Sequence, residues 1–207
     1  MPKARHRRHA NPFAFRQELA RPDYVAIYGR IAPIEVEIGF GKGQFTLALA
    51  AARPEVNILG LEIRDFLVQG LISDAKERGL SNVHGVHCNA NTALTQLFGA
   101  GEVSRFYVHF PDPWFKKRHT KRRVINQETA AMLQKLLRAD GEIHAMTDYE
   151  PIAIDMMDCL ETAGFTNTVA RYALSRESTT GFTSEREDWH VSQGDPVYRM
   201  RFVKSAS

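Results

Sequence analysis

The stretch VEIGFGKGQF, residues 36–45, decides the fold class of this chain. A short apolar run leads into three glycines, Gly39, Gly41 and Gly43, spaced as G-x-G-x-G. Glycine adopts the backbone angles of a tight turn and lets a ligand approach the main chain where a Cβ atom would collide. Such a turn directly after a strand is typical of α/β folds that bind nucleotide-like molecules, so these glycines predict a cofactor site.

Strand-like and helix-like runs alternate along the chain on both sides of this turn. The predicted strands are residues 34–38, 57–61, 83–87, 105–110 and 142–146, and the predicted helices lie near residues 44–52, 65–78, 92–97, 127–137 and 152–163. Alternating βα units predict a mostly parallel sheet with helices on both faces, as in Rossmann-like α/β folds.

Two further strand-like runs, residues 166–171 and 196–203, have no long helix predicted between them. They predict a terminal hairpin and a sheet of about seven strands. With 207 residues, of which 43% are hydrophobic, the chain fits one hydrophobic core better than two. We therefore predict a basic N-terminal arm and lead-in over residues 1–30 and a single domain over residues 31–207.

Two acidic residues near the glycine turn indicate the class of cofactor. Glu37 lies two residues before Gly39, and Glu62 follows the second predicted strand, where an acid can bind ribose hydroxyls. The dinucleotide fingerprint requires a third glycine where this chain has Gln44, which disfavours a nicotinamide oxidoreductase. An anion beside the turn suits a positively charged ligand, so we predict S-adenosylmethionine and methyl transfer. Asn89, in the sequence CNAN, fits either a hydrogen bond to adenine or a turn.

The sequence HFPDPWFKKRHTKRRV, residues 109–124, carries a second predicted site. It places Asp112 between two prolines at the end of a predicted strand, where ligands bind in open α/β sheets. The prolines disfavour helical backbone at Phe110 and Asp112, which predicts an extended, stiff loop that positions the carboxylate. Trp114 and Phe115 are candidates for stacking on a base, and packing under the loop explains Trp114 equally well.

Positive charge is concentrated in two segments. Residues 1–17 contain five Lys or Arg, residues 116–123 contain six, and neither segment contains an acid. Removing these eleven from the 27 basic residues leaves 16 against 24 acidic ones, a charge of −8 for the rest of the chain. Two basic segments on an acidic body predict binding to a polyanion, with nucleic acid favoured over a membrane surface.

Several classes of protein are disfavoured by what the sequence contains. Its apolar runs are shorter than the ~20 residues that span a bilayer, and its first residues lack the apolar core of a secretory signal. Cys88 and Cys159 lie far apart, without the spacing of a zinc site or a disulfide framework, so we predict no metal. A cytoplasmic location is the default expectation, and the sequence leaves monomer and homodimer equally open.

The chain resembles bacterial tRNA (guanine-N7-)-methyltransferases of the TrmB type. The similarity rests on EIGFGKG, GLEIR, CNA, FPDPWFKKRHTKRR and MTDYEP, and the FPDPW-to-KRR segment is its most specific part. The resemblance implies a Rossmann-like methyltransferase fold and methylation of a guanosine in the variable loop of tRNA, at position 46. It further implies that Glu37, Glu62, Asn89 and Asp112 surround S-adenosylmethionine, with Asp112 as the catalytic carboxylate.

The resemblance also implies which residues contact tRNA. They are Asp148 and the basic loop, which comprises Lys116, Lys117, Arg118, His119, Lys121, Arg122 and Arg123. The C-terminal substrate motif T-x-[FY]-E of this family matches SERE, from Ser184 to Glu187, with Ser in place of Thr and Arg in place of the aromatic residue. A polar surface loop over residues 179–188 is the alternative interpretation.

The chemistry of guanine N7 limits what these residues need to do. N7 carries no proton and already offers a lone pair, so position matters more than a strong base. Asp112 and Asp148 can each stabilise the cationic product or accept hydrogen bonds from guanine N1 and N2. Methylation of another RNA base and non-catalytic RNA binding remain the alternatives, and the sequence does not identify which tRNAs are used.

Overall fold

The computed structural model describes residues 18–169, 174–175 and 178–204. Seven strands among these residues form one sheet with the order β3-β2-β1-β4-β5-β7-β6. The strands are β1 (Ile34–Ile38), β2 (Asn57–Glu62), β3 (Val83–His87), β4 (Val103–His109), β5 (Leu137–Thr147), β6 (Phe165–Asn167) and β7 (Tyr198–Lys204). The helices are α1 (Tyr24–Tyr28), α2 (Gln44–Ala52), α3 (Asp65–Glu77), α4 (Ala90–Leu97), α5 (Gln127–Leu136), α6 (Glu150–Thr162) and α7 (Glu185–Gln193). A 3₁₀ helix spans Lys117–Arg122.

Both faces of the sheet are covered by apolar side chains. Ile58 and Tyr107 pack on one face with residues of α2 and α3, whereas Leu59 and Phe106 pack on the other with residues of α4, α5 and α6. Because side chains alternate between the faces of a strand, β2 and β4 contribute to both clusters. The predicted sheet with helices on both faces is confirmed.

The predicted sheet of about seven strands with its last two strands paired is confirmed, but the prediction that no helix separates them was wrong. Strands β6 and β7 are antiparallel neighbours, but the connection between them contains α7. Helix α7 begins at an N-cap, Ser184, whose side chain accepts a hydrogen bond from the Glu187 amide at 3.2 Å, and it ends at Gly194 in the left-handed conformation. The interpretation of residues 179–188 as a polar loop is therefore wrong over its last four residues. The predicted strand residues 170–171 lie outside the described part of the chain.

The strand order fixes where a ligand can bind. Strand β1 lies between β2 and β4, and all three are parallel. The chain crosses from β1 to β2 on one side and later returns to β4 on the other, so the connections diverge at this point. In open α/β sheets a crevice forms there, outside the carboxyl ends of the strands.

A polar pair on β5, in which His144 is buried and Glu142 partly buried, predicts a loss of stability in acid. His144 lies 3.0 Å from Glu142, and burial lowers its pKa, while the hydrogen bond to His144 holds the pKa of Glu142 well below its usual range. The unfolded chain takes up protons at these groups at higher pH than the native protein. The free energy of unfolding should therefore fall as pH drops below about 6.5, by up to about 1.4 kcal/mol per pH unit for His144, and further near pH 4 for Glu142.

Urea unfolding between pH 7.5 and pH 5 measures this slope. His144→Gln keeps a polar side chain but removes the titrating group, so its slope should be shallower in this interval. Equal slopes for the two proteins would contradict the assignment.

Candidate active site

A cavity of about 390 Å³ occupies the crevice at the carboxyl ends of β1, β2, β3 and β4. Its walls combine the glycine turn after β1, the ends of the neighbouring strands, the loop after β4 and the first turn of α7. This volume is within the ~300–1,000 Å³ typical of small-molecule and cofactor sites. All of the residues that the sequence predicts for cofactor binding line this cavity: Glu37, Gly39, Gly41, Gly43, Glu62, Asn89 and Asp112.

The glycine turn adopts backbone angles that favour glycine. Gly39, Gly41 and Gly43 have φ values of 78°, 60° and 79°, in the left-handed region. A Cβ atom on Gly43 would in addition lie 2.6 Å from Cδ1 of Leu71 on α3. The turn therefore needs glycine for its conformation, and at its last position also for packing against α3.

Glu62 is held by several donors at the edge of the cavity. Its Oε2 accepts a hydrogen bond from the Gly41 amide at 3.2 Å, which ties the end of β2 to the glycine turn. The Arg64 guanidinium donates to both carboxylate oxygens, at 2.9 and 3.1 Å. A ribose could reach this carboxylate only if Arg64 moved aside, so the predicted role of Glu62 implies a rearrangement of Arg64.

Glu37 forms the buried base of the cavity. It accepts a hydrogen bond from the Thr46 hydroxyl, and its Oε1 lies 3.2 Å from Nδ1 of His109 at the end of β4. The His109 ring meets Phe45 edge to face, with the ring centroids 4.4 Å apart. These contacts fix a carboxylate beside the glycine turn, in the place where the sequence predicts a negative charge.

Asn89 is the N-cap of α4 and a residue of the cavity wall. Its side chain caps α4 by accepting a hydrogen bond from the Asn91 amide at 3.2 Å, and the residue also lines the cavity. Cys88 beside it is buried, and burial raises the pKa of its thiol to about 12. The cavity wall at the end of β3 is therefore neutral at physiological pH.

The loop that carries Asp112 departs from its predicted conformation. Phe110 has φ 49° and Trp114 has φ 43°, both in the left-handed region, so the extended backbone predicted at Phe110 was wrong. Such angles cost of order 1–3 kcal/mol each when the residue is not glycine. At Phe110 the strained backbone is held by burial of the ring, which stacks on His190 at 5.6 Å. Asp112 itself is exposed at the cavity rim.

Two aromatic residues next to Asp112 differ in accessibility. The Trp114 ring is partly buried, and the Arg122 guanidinium lies 5.1 Å from its centroid. Phe115 is 70% exposed and meets the Tyr149 ring edge to face at 5.4 Å. Trp114 also lines the cavity, and Phe115 is accessible at the surface.

The basic loop contains both accessible and internally paired cations. Lys116 and Lys121 are exposed, whereas Arg123 donates to the Pro113 carbonyl at 3.0 Å and to Asp155 at 2.8 Å. Arg123 thus braces the loop from inside. The side chains of three further predicted tRNA contacts lie outside the described part of the chain: Lys117, Arg118 and His119.

Asp148 follows β5 and is held by side chains from α7. Nη2 of Arg186 lies 3.1 Å from each of its oxygens, and Nε2 of His190 lies 3.1 Å from Oδ2. Arg186 also lines the cavity, as do Ser184 and Glu185. Helix α7 therefore contacts both the cavity and the residue that follows β5.

Glu187 does not face the large cavity. It is 1% exposed, and its Oε1 accepts hydrogen bonds from Arg199 on β7 at 2.7 Å. Glu187 therefore belongs to an internal ion pair. Ser184, at the other end of the predicted substrate motif, lies at the cavity wall.

Comparison with known proteins identifies the family. A sequence model for the family described as "Putative methyltransferase" matches residues 31–200. A tRNA (guanine-N(7)-)-methyltransferase from Microcystis aeruginosa is 35% identical over 98% of this chain and 99% of its own length. A protein of the same name from Pseudomonas aeruginosa is 40% identical over 88% of this chain and 75% of its own length. The chain belongs to the tRNA (guanine-N7-)-methyltransferase family.

Solved structures of other methyltransferases are similar in fold to this protein. The 16S rRNA methyltransferase KamB superposes with a TM-score of 0.67 over 91% of this chain and 95% of that chain, at 15% identity. The aminoglycoside resistance methyltransferase NpmB1 superposes with a TM-score of 0.59 over 91% of this chain and 95% of that chain, at 16% identity. The predicted Rossmann-like methyltransferase fold is confirmed.

Two residues of this family member's site escaped the sequence analysis. Arg64 follows the predicted strand that carries Glu62, and only the fold shows that its guanidinium returns to that carboxylate. Arg186 was noticed only as a departure from the aromatic position of the family motif. Within the described residues, no helix is long and apolar enough to cross a membrane, and no group of three His, Cys, Asp or Glu side chains could hold a metal ion.

Proposed function

We propose that this protein transfers a methyl group from S-adenosylmethionine to N7 of a guanosine in tRNA, at position 46 in the variable loop. The observation that carries the proposal is the match to relatives named tRNA (guanine-N(7)-)-methyltransferase over nearly the whole of both chains. The site supports it independently, because an exposed carboxylate and a basic loop border a nucleotide-sized cavity. A cytoplasmic location follows from a tRNA substrate and is part of the proposal.

The cavity fits S-adenosylmethionine in size and charge. The backbone of Gly39, Gly41 and Gly43 would lie against the cofactor, with Glu37 beside its cationic part and Glu62 near the ribose. Asn89 lines the side where an adenine would lie. When bound, the cofactor supplies an electrophilic methyl group on a cationic sulfur.

Asp112 and Asp148 take different parts in the proposed reaction. Guanine N7 needs no deprotonation, so alignment of N7 with the methyl group supplies most of the acceleration, roughly 7–11 kcal/mol in well-oriented systems. Asp112, at the cavity rim, is placed to stabilise the positive charge that develops on the guanine ring. Asp148, held by α7, is assigned to accept a hydrogen bond from guanine N1 or N2.

The basic loop is proposed to bind the tRNA backbone. Lys116 and Lys121 are exposed cations of the loop whose Trp114 and Arg122 line the cavity, and Phe115 can stack on an unpaired base. Each neutralised phosphate should contribute a slope of about −0.7 to −0.9 to the dependence of log affinity on log salt concentration. We assign the basic residues within 1–17 to the same role, so removal of residues 1–10 should flatten this dependence.

Transfer of labelled methyl groups to an unmodified tRNA transcript tests the proposal directly. Reduction with borohydride and cleavage with aniline locate N7-methylguanosine, and we expect one cleavage site at position 46. A transcript with adenosine at that position is the matched control and should take up no label. Label without cleavage would move the reaction to another atom, and cleavage elsewhere would reject the assigned nucleotide.

A further inference from the structure

We propose that Arg186 is a positioning residue that holds the Asp148 carboxylate in the orientation needed to bind guanine. This inference rests on the proposed function, because it concerns the guanine site of the same reaction. It extends that function by assigning a role to Arg186, a cation that lines the cavity and belongs to neither the glycine turn nor the basic loop.

Asp148 and Arg186 come from distant parts of the chain and meet at the cavity mouth. Asp148 lies just after β5, and Arg186 lies in the first turn of α7. One guanidinium nitrogen, Nη2, is 3.1 Å from both carboxylate oxygens. His190, one turn further along α7, places Nε2 3.1 Å from Oδ2 of the same carboxylate. Asp148 is therefore held from one side by two residues of a single helix.

These contacts leave the carboxylate able to bind a substrate. An ionised carboxylate has about four acceptor positions on its two oxygens. Arg186 reaches both oxygens with a single nitrogen, and His190 adds one contact to Oδ2. These contacts use three of the four positions, and the one left on Oδ1 can accept a guanine donor, N1 or N2, while Asp148 stays in place. Arg186 thus does not have to leave for the substrate to enter.

Arg186 is itself held in place by its surroundings. Its guanidinium lies 5.2 Å from the centroid of the Phe110 ring, and His190 stacks on that ring at 5.6 Å. Nδ1 of His190 is also 3.0 Å from Asp195, which fixes the ring beyond the end of α7. Planar contacts of this kind pre-organise an arginine, so little conformational entropy remains to be lost on substrate binding.

The first turn of α7 is also tied to the cofactor side of the cavity. Glu185 accepts a hydrogen bond from Lys42 of the glycine turn at 2.7 Å, and Asp188 accepts one from Gln44 at 3.2 Å. Helix α7 therefore contacts the glycine turn through Glu185 and Asp188 and the guanine side through Arg186. This arrangement favours a positioning role over a free anion-binding role for Arg186, because a phosphate would have to compete with Asp148.

A double-mutant cycle tests whether Arg186 acts through Asp148. Arg186→Met keeps the apolar stem and removes the charge, and we expect kcat/KM for tRNA to fall about 10- to 100-fold, the loss expected for one hydrogen bond to a charged group. The Kd for S-adenosylmethionine should change less than threefold. Adding Arg186→Met to Asp148→Asn should cause little further loss, because residues that act as a unit are not additive.

Conservative and control variants complete the experiment. Arg186→Lys keeps the charge but not the planar guanidinium, so it should lose less activity than Arg186→Met. A loss of less than threefold in Arg186→Met would overturn the proposal. Multiplicative losses in the double variant would overturn it as well. Arg138→Met breaks an exposed ion pair with Asp140 near the other end of β5 and should leave kcat/KM unchanged. A wild-type protein that methylates no guanosine would instead reject the proposed function.

Discussion

Replacing Asp112 with asparagine is expected to lower kcat for tRNA methylation by about 10²- to 10³-fold, the usual loss when one preorganised electrostatic contact to the transition state is removed. The substitution preserves the size of the side chain and removes its negative charge. Asp112 is exposed at the cavity rim, so the fold should not depend on it. Because methylation makes guanine cationic, the lost charge should affect the transition state more than it affects binding.

Separate measurements of kcat and cofactor affinity check this assignment. We expect the Kd for S-adenosylmethionine to change less than tenfold in Asp112→Asn, with the thermal stability unchanged. Asp140→Asn is the matched control, because Asp140 is an exposed acid near the opposite end of β5. An Asp112 variant that keeps its kcat but loses affinity for the cofactor would assign this carboxylate to cofactor binding alone.

The central part of the fold was predictable because its signals are local. The glycine turn, the apolar runs of β1 to β5 and the amphipathic helices between them follow from backbone freedom and hydrophobic periodicity. Helix α7 was not predictable in this way. Its sequence, EREDWHVSQ, lacks an apolar stripe, and it is stabilised by the Ser184 cap and by stacking of His190 on Phe110. Contacts between distant segments override weak local preference there.

The candidate site was predictable to a similar extent. Glu62 and Asp112 follow strands that end at the same edge of the sheet, so their approach to one cavity follows from the parallel order alone. The partners of these acids could not be read from spacing. The Arg64 contact depends on how a side chain folds back at the end of β2, and the Arg186 contact depends on the placement of α7.

The substrate motif near the C-terminus contains a residue with a second, structural role. Glu187 is buried, and its Oε1 accepts two hydrogen bonds from Arg199, which is itself only 9% exposed. No hydrogen-bond partner for Oε2 of Glu187 is found among the described residues. Glu187→Ala should therefore lower the free energy of unfolding by about 3–5 kcal/mol, because it removes one partner of a buried ion pair.

Urea unfolding of single and double variants separates the structural role of Glu187 from a role in substrate binding. Combining Glu187→Leu with Arg199→Met removes both charges and should recover most of the stability lost in Glu187→Ala, because an apolar pair of similar volume can replace a buried ion pair.

Glu185→Ala is the control, since Glu185 is exposed and its ion pair with Lys42 should contribute less than about 1 kcal/mol. If Glu187→Ala kept its stability and lost only methylation, the acid would contact the substrate, as the family resemblance implies. A destabilised Glu187→Ala together with a stable double variant would instead mean that the last residue of this motif anchors α7 to β7, while Ser184 and Arg186 face the cavity.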